Sequence, residues 1–150
     1  MEEHDIRYRD VLEWVCRDLG VAPPSVTLRS RRQMPTETTL AMLSEDGASL
    51  LLRRDKQTGY DAALSIAHEL RHKWQQQTDP DKWFTGYRPS ADCADADEYN
   101  LQPAELDAQA YAMLVMITLF NVRPLFHGLS DRVTAAIRRR AEEIIKEEES

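Results

Sequence analysis

Long apolar runs are missing from this 150-residue chain, and that absence bears on where it works. No stretch approaches the roughly 18 consecutive apolar residues that a membrane-crossing helix needs, so neither a transmembrane segment nor a membrane partner is expected. The opening MEEHDIRYRD has no apolar core, and no secretory signal is expected there. Cysteine is nearly absent. Cys16 and Cys93 allow one pair at most, which excludes a disulfide framework and points to a reducing cytoplasm. Positive charge is in deficit, with 19 Lys and Arg against 26 Asp and Glu. The net charge of −7 argues against a nucleic-acid partner, because a duplex-binding face needs clustered cations to neutralise phosphates. The single basic run, Arg138-Arg139-Arg140, leads straight into Glu142, Glu143, Glu147, Glu148 and Glu149 and reads as a solvated helix face of alternating sign.

What is present suits one domain, residues 1–150, with one core. Residues 3–19 place Tyr8, Val11, Leu12, Val15, Cys16 and Leu19 at helical spacing, with Gly20 at the C-terminal cap. Pro23 and Pro24 stop that helix. Short strands are expected at Ser25–Ser30, Thr38–Leu43 and Ala48–Arg53, the last two joined by a hairpin around Asp46-Gly47. A helix over 60–77 carries Ala63, Ile66, Ala67, Leu70 and Trp74 on its core stripe. From Thr78 to Gln102 the sequence is polar and rich in Asp, yet contains Trp83, Phe84, Tyr87 and Tyr99; it reads as a long loop. Pro103 opens a helix to about Asn121 that is apolar on nearly every side, the expected central helix. A last helix runs from a Ser130 cap to about Glu148, with Val133, Ile137, Ile144 and Ile145 inward. The class is α+β: a small three-stranded antiparallel or mixed sheet on a helical core.

Chemistry concentrates in SIAHELRHKWQ, Ser65 to Gln75, where His68, Glu69 and His72 read H-E-x-x-H. Residues four apart on a helix lie one turn apart on the same face, so the two imidazoles can share one ion. Zinc accepts His nitrogens tetrahedrally at about 2.0–2.1 Å. Glu69 projects beside the pair, where it can reach a water instead of the metal. The plain alternative is a surface helix with Glu69 and Arg71 as solvated charges. A catalytic zinc usually takes a third protein ligand. Glu98, Glu105 and Asp107 are downstream candidates. Glu105 and Asp107 lie on opposite edges of the apolar stripe of the Pro103 helix, so one geometry cannot use both. Glu105 has the longer reach, but it also stands at the third helical position, where a Glu caps a helix start. The acidic group Asp92, Asp95, Asp97 and Glu98 lacks the spacing and glycine of a calcium loop. His4 and His127 are isolated.

The pair SIAHELRH and ELDAQAYA resembles the gluzincin-type zinc metallopeptidases of the ImmA/IrrE group, which carry A-H-E-x-x-H on one helix and E-x-x-A-x-x-F-A on the next. The resemblance spans roughly residues 25–120, though its specific part is these two motifs. It implies a zincin-like fold with a metal helix and a glutamate helix. Its zinc ligands would be His68, His72 and Glu105, with Glu69 as the catalytic base and Ala108, Tyr111 and Ala112 at the small and aromatic positions. Arg71 stands where many members have Gly, and Gln109 where some related gluzincins have Asp. The implied function is zinc-dependent hydrolysis of peptide bonds in an intracellular protein substrate. By the same analogy the Ala48–Arg53 strand is an edge that pairs with an extended peptide; a plainly buried strand is the other reading of its three leucines. Tyr99, Tyr111, Arg71 and His127 are candidate donors to the oxyanion. A rival class keeps the zincin-like shape without catalysis, as a binding or regulatory module of a mobile-element or stress-response system. Glu69 separates the two, because a binder has no use for a base there.

Overall fold

The computed structural model describes residues 2–150. Among these the chain is α+β, with six α-helices and one three-stranded mixed sheet. No helix among them is long and apolar enough to cross a membrane. The chain divides into two compact units, one ending at Trp74 and the other running from Gln75 to Ser150.

The first unit opens with α1, Tyr8–Leu19, which buries Tyr8, Val11, Leu12, Val15 and Cys16. Gly20 ends it at φ 70°, a left-handed cap that places its N–H on the carbonyls of Arg17 and Cys16. The helix starts later than residue 3. Glu3–Asp5 form a separate 3₁₀ turn, because the next backbone groups pair elsewhere: Gly59 donates to Ile6, and Tyr8 donates to the carbonyl of Gln57. Glu3 then reaches Tyr60, accepting its N–H at 3.2 Å.

The sheet comprises β1 (Ser25–Arg29), β2 (Ala41–Leu43) and β3 (Ser49–Arg53), in the order β1-β3-β2. β1 runs parallel to β3 with Ser25 opposite Ser49, and β2 runs antiparallel with Leu43 opposite Leu50. The Asp46-Gly47 hairpin forms as expected. Asp46 accepts bonds from the Ser44 hydroxyl and the Ala48 N–H, and Gly47 sits at φ 71°. A Cβ at Gly47 would also come within 3.3 Å of the buried Lys73 stem, which would have to shift by a few tenths of an ångström, so the positive φ is the main reason for glycine there.

Of the two readings of Ala48–Arg53 the buried strand holds, and the edge that pairs with an extended peptide is corrected. β3 is central, hydrogen-bonded on both sides, with Leu50 and Leu52 fully buried. The hairpin fills one side and the parallel crossover from β1 fills the other. β2 starts at Ala41, three residues later than expected, because Thr36 and Thr39 close a hydroxyl-bonded turn first.

Helix α2, Tyr60–Thr78, contains no glycine or proline and ends inside the second unit. Ala63, Ile66, Ala67 and Leu70 are fully buried; Trp74 is only half-buried and takes the Arg71 guanidinium on its face.

In the second unit the expected loop over 78–102 holds two short helices, α3 (Pro80–Phe84) and α4 (Ala96–Asn100), and a 3₁₀ turn at Ser90–Asp92. The acidic residues that made it look like a loop are partly caps. Asp79 accepts the Lys82 N–H, and Asp95 the Glu98 N–H. Helix α5, Pro103–Phe120, begins on its proline and ends at Asn121, held left-handed at φ 53°. It is apolar nearly all round and buries Ala104, Ala108, Ala110, Ala112, Val115 and Met116. Helix α6, Asp131–Glu149, packs on α5. Ser130 caps it, and Val133, Ile137, Ala141 and Ile144 are buried. Ile145 was expected inward but is exposed, one position past that stripe.

The basic run is also corrected. Arg138 and Arg139 are exposed, but Arg140 turns inward to Asp107 of α5, whose side chain is fully buried. Arg140 Nε and Nη2 donate to Asp107 Oδ1 at 3.0 and 2.8 Å. Gln75 Nε2 donates to Asp107 Oδ2 at 2.8 Å and also to the Ala104 carbonyl. Burial opposes the charge on Arg140, yet bonds to Glu147, Asp107 and Glu143 outweigh it and hold its pKa above the ordinary value. Breaking such a pair from one side strands a buried charge. Arg140→Met should therefore cost about 3 kcal/mol in urea unfolding, and the double variant Arg140→Met/Asp107→Leu should recover part of that loss.

Candidate metal centre

His68, Glu69 and His72 lie on the uninterrupted helix α2. With no break in the helix, the four-residue spacing carries straight into space. The Nε2 atoms of His68 and His72 lie 3.1 Å apart, and their rings meet edge to face at 85°. Two nitrogens on one tetrahedral zinc are about 3.3 Å apart, from bond lengths near 2.05 Å. The pair is thus set for one imidazole to donate to the other, or for both to turn lone pairs to one cation. Both rings are half-buried. Glu69 is half-buried too, and its Oε1 accepts the Leu43 N–H of β2 at 3.4 Å. That bond ties one carboxylate oxygen to the sheet and restricts the rotation of the other.

Glu105 is the third residue of α5 and only 2% exposed. The helix-cap reading of this residue does not hold in its usual form. A capping glutamate would bond the N–H of the residue before the helix, but the Gln102 N–H donates to the Tyr99 carbonyl. Glu105 Oε2 instead accepts the Tyr87 hydroxyl at 2.7 Å. The two hydroxyl oxygens of Tyr87 and Tyr99 lie 3.3 Å apart. Burial first, then the bonds to Tyr99 and Glu105, push the Tyr87 phenol well above its ordinary range, so it is a protonated donor.

One ligand atom from each of His68, His72 and Glu105 lies within 4.8 Å of the other two. Two neutral imidazoles and one carboxylate are a donor set that fits zinc or a similar divalent metal of intermediate softness. Other candidates are committed elsewhere. Asp107 is held by Arg140 and Gln75. Glu98 pairs with Arg88 and accepts the Ala94 N–H. Asp95 caps α4, and Asp97 accepts the Ser130 hydroxyl. The Cys93 thiol faces the Arg88 carbonyl at 3.8 Å.

Of the four candidate oxyanion donors, Tyr99 is the one placed beside the Tyr87–Glu105 pair. Tyr111 is 2% exposed, Arg71 stacks at 3.7 Å on Trp74, and His127 is exposed. Sequence reasoning missed Tyr87. Its signal was the unusual aromatic content between the two motifs, but no spacing rule names a partner 18 residues away. No family model, curated protein or solved structure matches the chain.

Proposed function

We propose that this chain is a zinc-dependent metallopeptidase with a zincin-like fold of the ImmA/IrrE kind, which hydrolyses peptide bonds in an intracellular protein or peptide substrate. The observation that carries the reading is the 3.1 Å approach of the two Nε2 atoms, with a Glu105 ligand atom within 4.8 Å of both. His68, His72 and Glu105 would hold the metal. Bound zinc would supply Lewis acidity, acidifying a water and polarising a carbonyl.

The remaining work falls to the chain. Glu69 takes a proton from the attacking water as its oxygen bonds to the carbonyl carbon. The same carboxyl then gives that proton to the amine nitrogen as the carbon–nitrogen bond breaks. The Leu43 N–H holds Glu69 by one oxygen and limits its swing during both transfers. A cytoplasmic setting belongs to the same proposal.

The Leu43 bond also favours a second reading, because it gives Glu69 a structural use without catalysis. A non-catalytic zincin-like binding module, zinc-stabilised or metal-free, would keep the fold.

Two measurements test these readings. Protein purified without added zinc should carry about one zinc per chain, from a single site with three protein ligands. His72→Ala should lose most of it; equal zinc in both proteins removes the site. Glu69→Gln should keep the zinc and lower hydrolysis of a peptide library by about 100-fold or more. Unchanged hydrolysis in that variant removes Glu69 as the base, and no hydrolysis in the parent protein gives the function to the second reading.

A further inference from the structure

Glu105 is buried at 2% exposure, and a carboxylate so placed needs donors or a cation to stay ionised. The donor that reaches it from the 78–102 stretch is the Tyr87 hydroxyl, at 2.7 Å. A phenol has one proton. The shorter contact, to a charged acceptor, takes that proton, and the Tyr99 hydroxyl lies 3.3 Å away on the same oxygen.

Tyr87 is itself held in place. The Arg88 N–H donates to Gln102 Oε1 at 2.7 Å, and Gln102 Nε2 returns a bond to the Arg88 carbonyl at 2.9 Å. The same Nε2 reaches the Tyr99 carbonyl at 3.1 Å. Gln102 directly precedes α5, so this two-way clasp fixes residue 88 to the start of the helix that carries Glu105. The Arg88 side chain is fixed as well, paired with Glu98 of α4. The Tyr87 ring packs edge-on against Phe84 at 5.5 Å and Tyr99 at 6.4 Å. A side chain held at its backbone, ring and hydroxyl has little freedom left.

We propose that Tyr87 is a positioning residue for the metal site: its hydroxyl claims one oxygen of Glu105 and fixes the carboxylate's rotation, so that Glu105 presents a single oxygen to the ion. This rests on the zinc reading of His68, His72 and Glu105. Groups that orient a ligating carboxylate commonly change metal affinity by about 10- to 100-fold when removed. The clasp makes the interval between the two motifs part of the site, since it determines where the hydroxyl stands.

The test uses the whole chain and zinc alone, with affinity read by chelator competition. The parent protein should bind one zinc. Tyr87→Phe keeps the ring and loses the hydroxyl, and should bind zinc about 10- to 100-fold more weakly. Its cobalt-substituted form should shift in the visible spectrum, a change that a packing role alone would not produce. In a Glu105→Gln background the same substitution should change affinity by less than about twofold, because the two residues act as one unit. Should Tyr87→Phe fail to fold, Gln102→Ala carries the test: it loosens the clasp and should weaken zinc in the parent but not in the Glu105→Gln background. Unchanged affinity and cobalt spectrum in Tyr87→Phe, with zinc still bound by the parent, overturns the positioning role alone. Equal losses with and without Glu105 do the same. A parent that binds no zinc removes the metal site itself, and the role of Tyr87 with it.

Discussion

Two carboxylates buried two residues apart on one helix set the terms for the second unit. Asp107 is fully buried and Glu105 nearly so, both within the first turns of α5. A buried charge without compensation costs several kcal/mol, so each must be matched. Asp107 is matched by Arg140 from α6 and by Gln75. Glu105 receives the Tyr87 hydroxyl, from the segment between α3 and α4. These pairings draw three parts of the unit onto the start of α5, and they sort the two acids. Asp107 is held by a cation, and Glu105 accepts a hydrogen bond from a phenol.

That sorting bears on function. A carboxylate already locked to a guanidinium by two bonds makes a poor metal ligand, because ligation would have to break them. A phenol is a neutral donor and does not neutralise the carboxylate it bonds. On the proposed reading the chemistry needs little more: the helical repeat brings the imidazoles together, the Leu43 N–H steadies the acid between them, and Tyr87 steadies the acid from α5.

Local features were legible in the sequence where local physics decides. The apolar stripe and glycine cap of α1, the Asp46-Gly47 turn, the unbroken α2, and the proline start of α5 all appear where spacing and turn chemistry place them. The histidine pair was legible for the same reason, since four residues is one helical turn. Strand order was not, because which neighbours β3 takes is decided by a crossover, not by its own residues. The short helices α3 and α4 were hidden because their capping aspartates make the segment look polar. Arg140 and Tyr87 find partners 33 and 18 residues away. Nothing in a charge run or an aromatic count reports a contact at that range.

X-ray absorption at the zinc edge of the zinc-loaded protein tests the central claim most directly. The account predicts a first shell of nitrogen and oxygen near 2.0 Å with outer scattering from two imidazole rings, one ring fewer in His72→Ala. A sulfur scatterer near 2.3 Å, or ring scattering unchanged by His72→Ala, would contradict it.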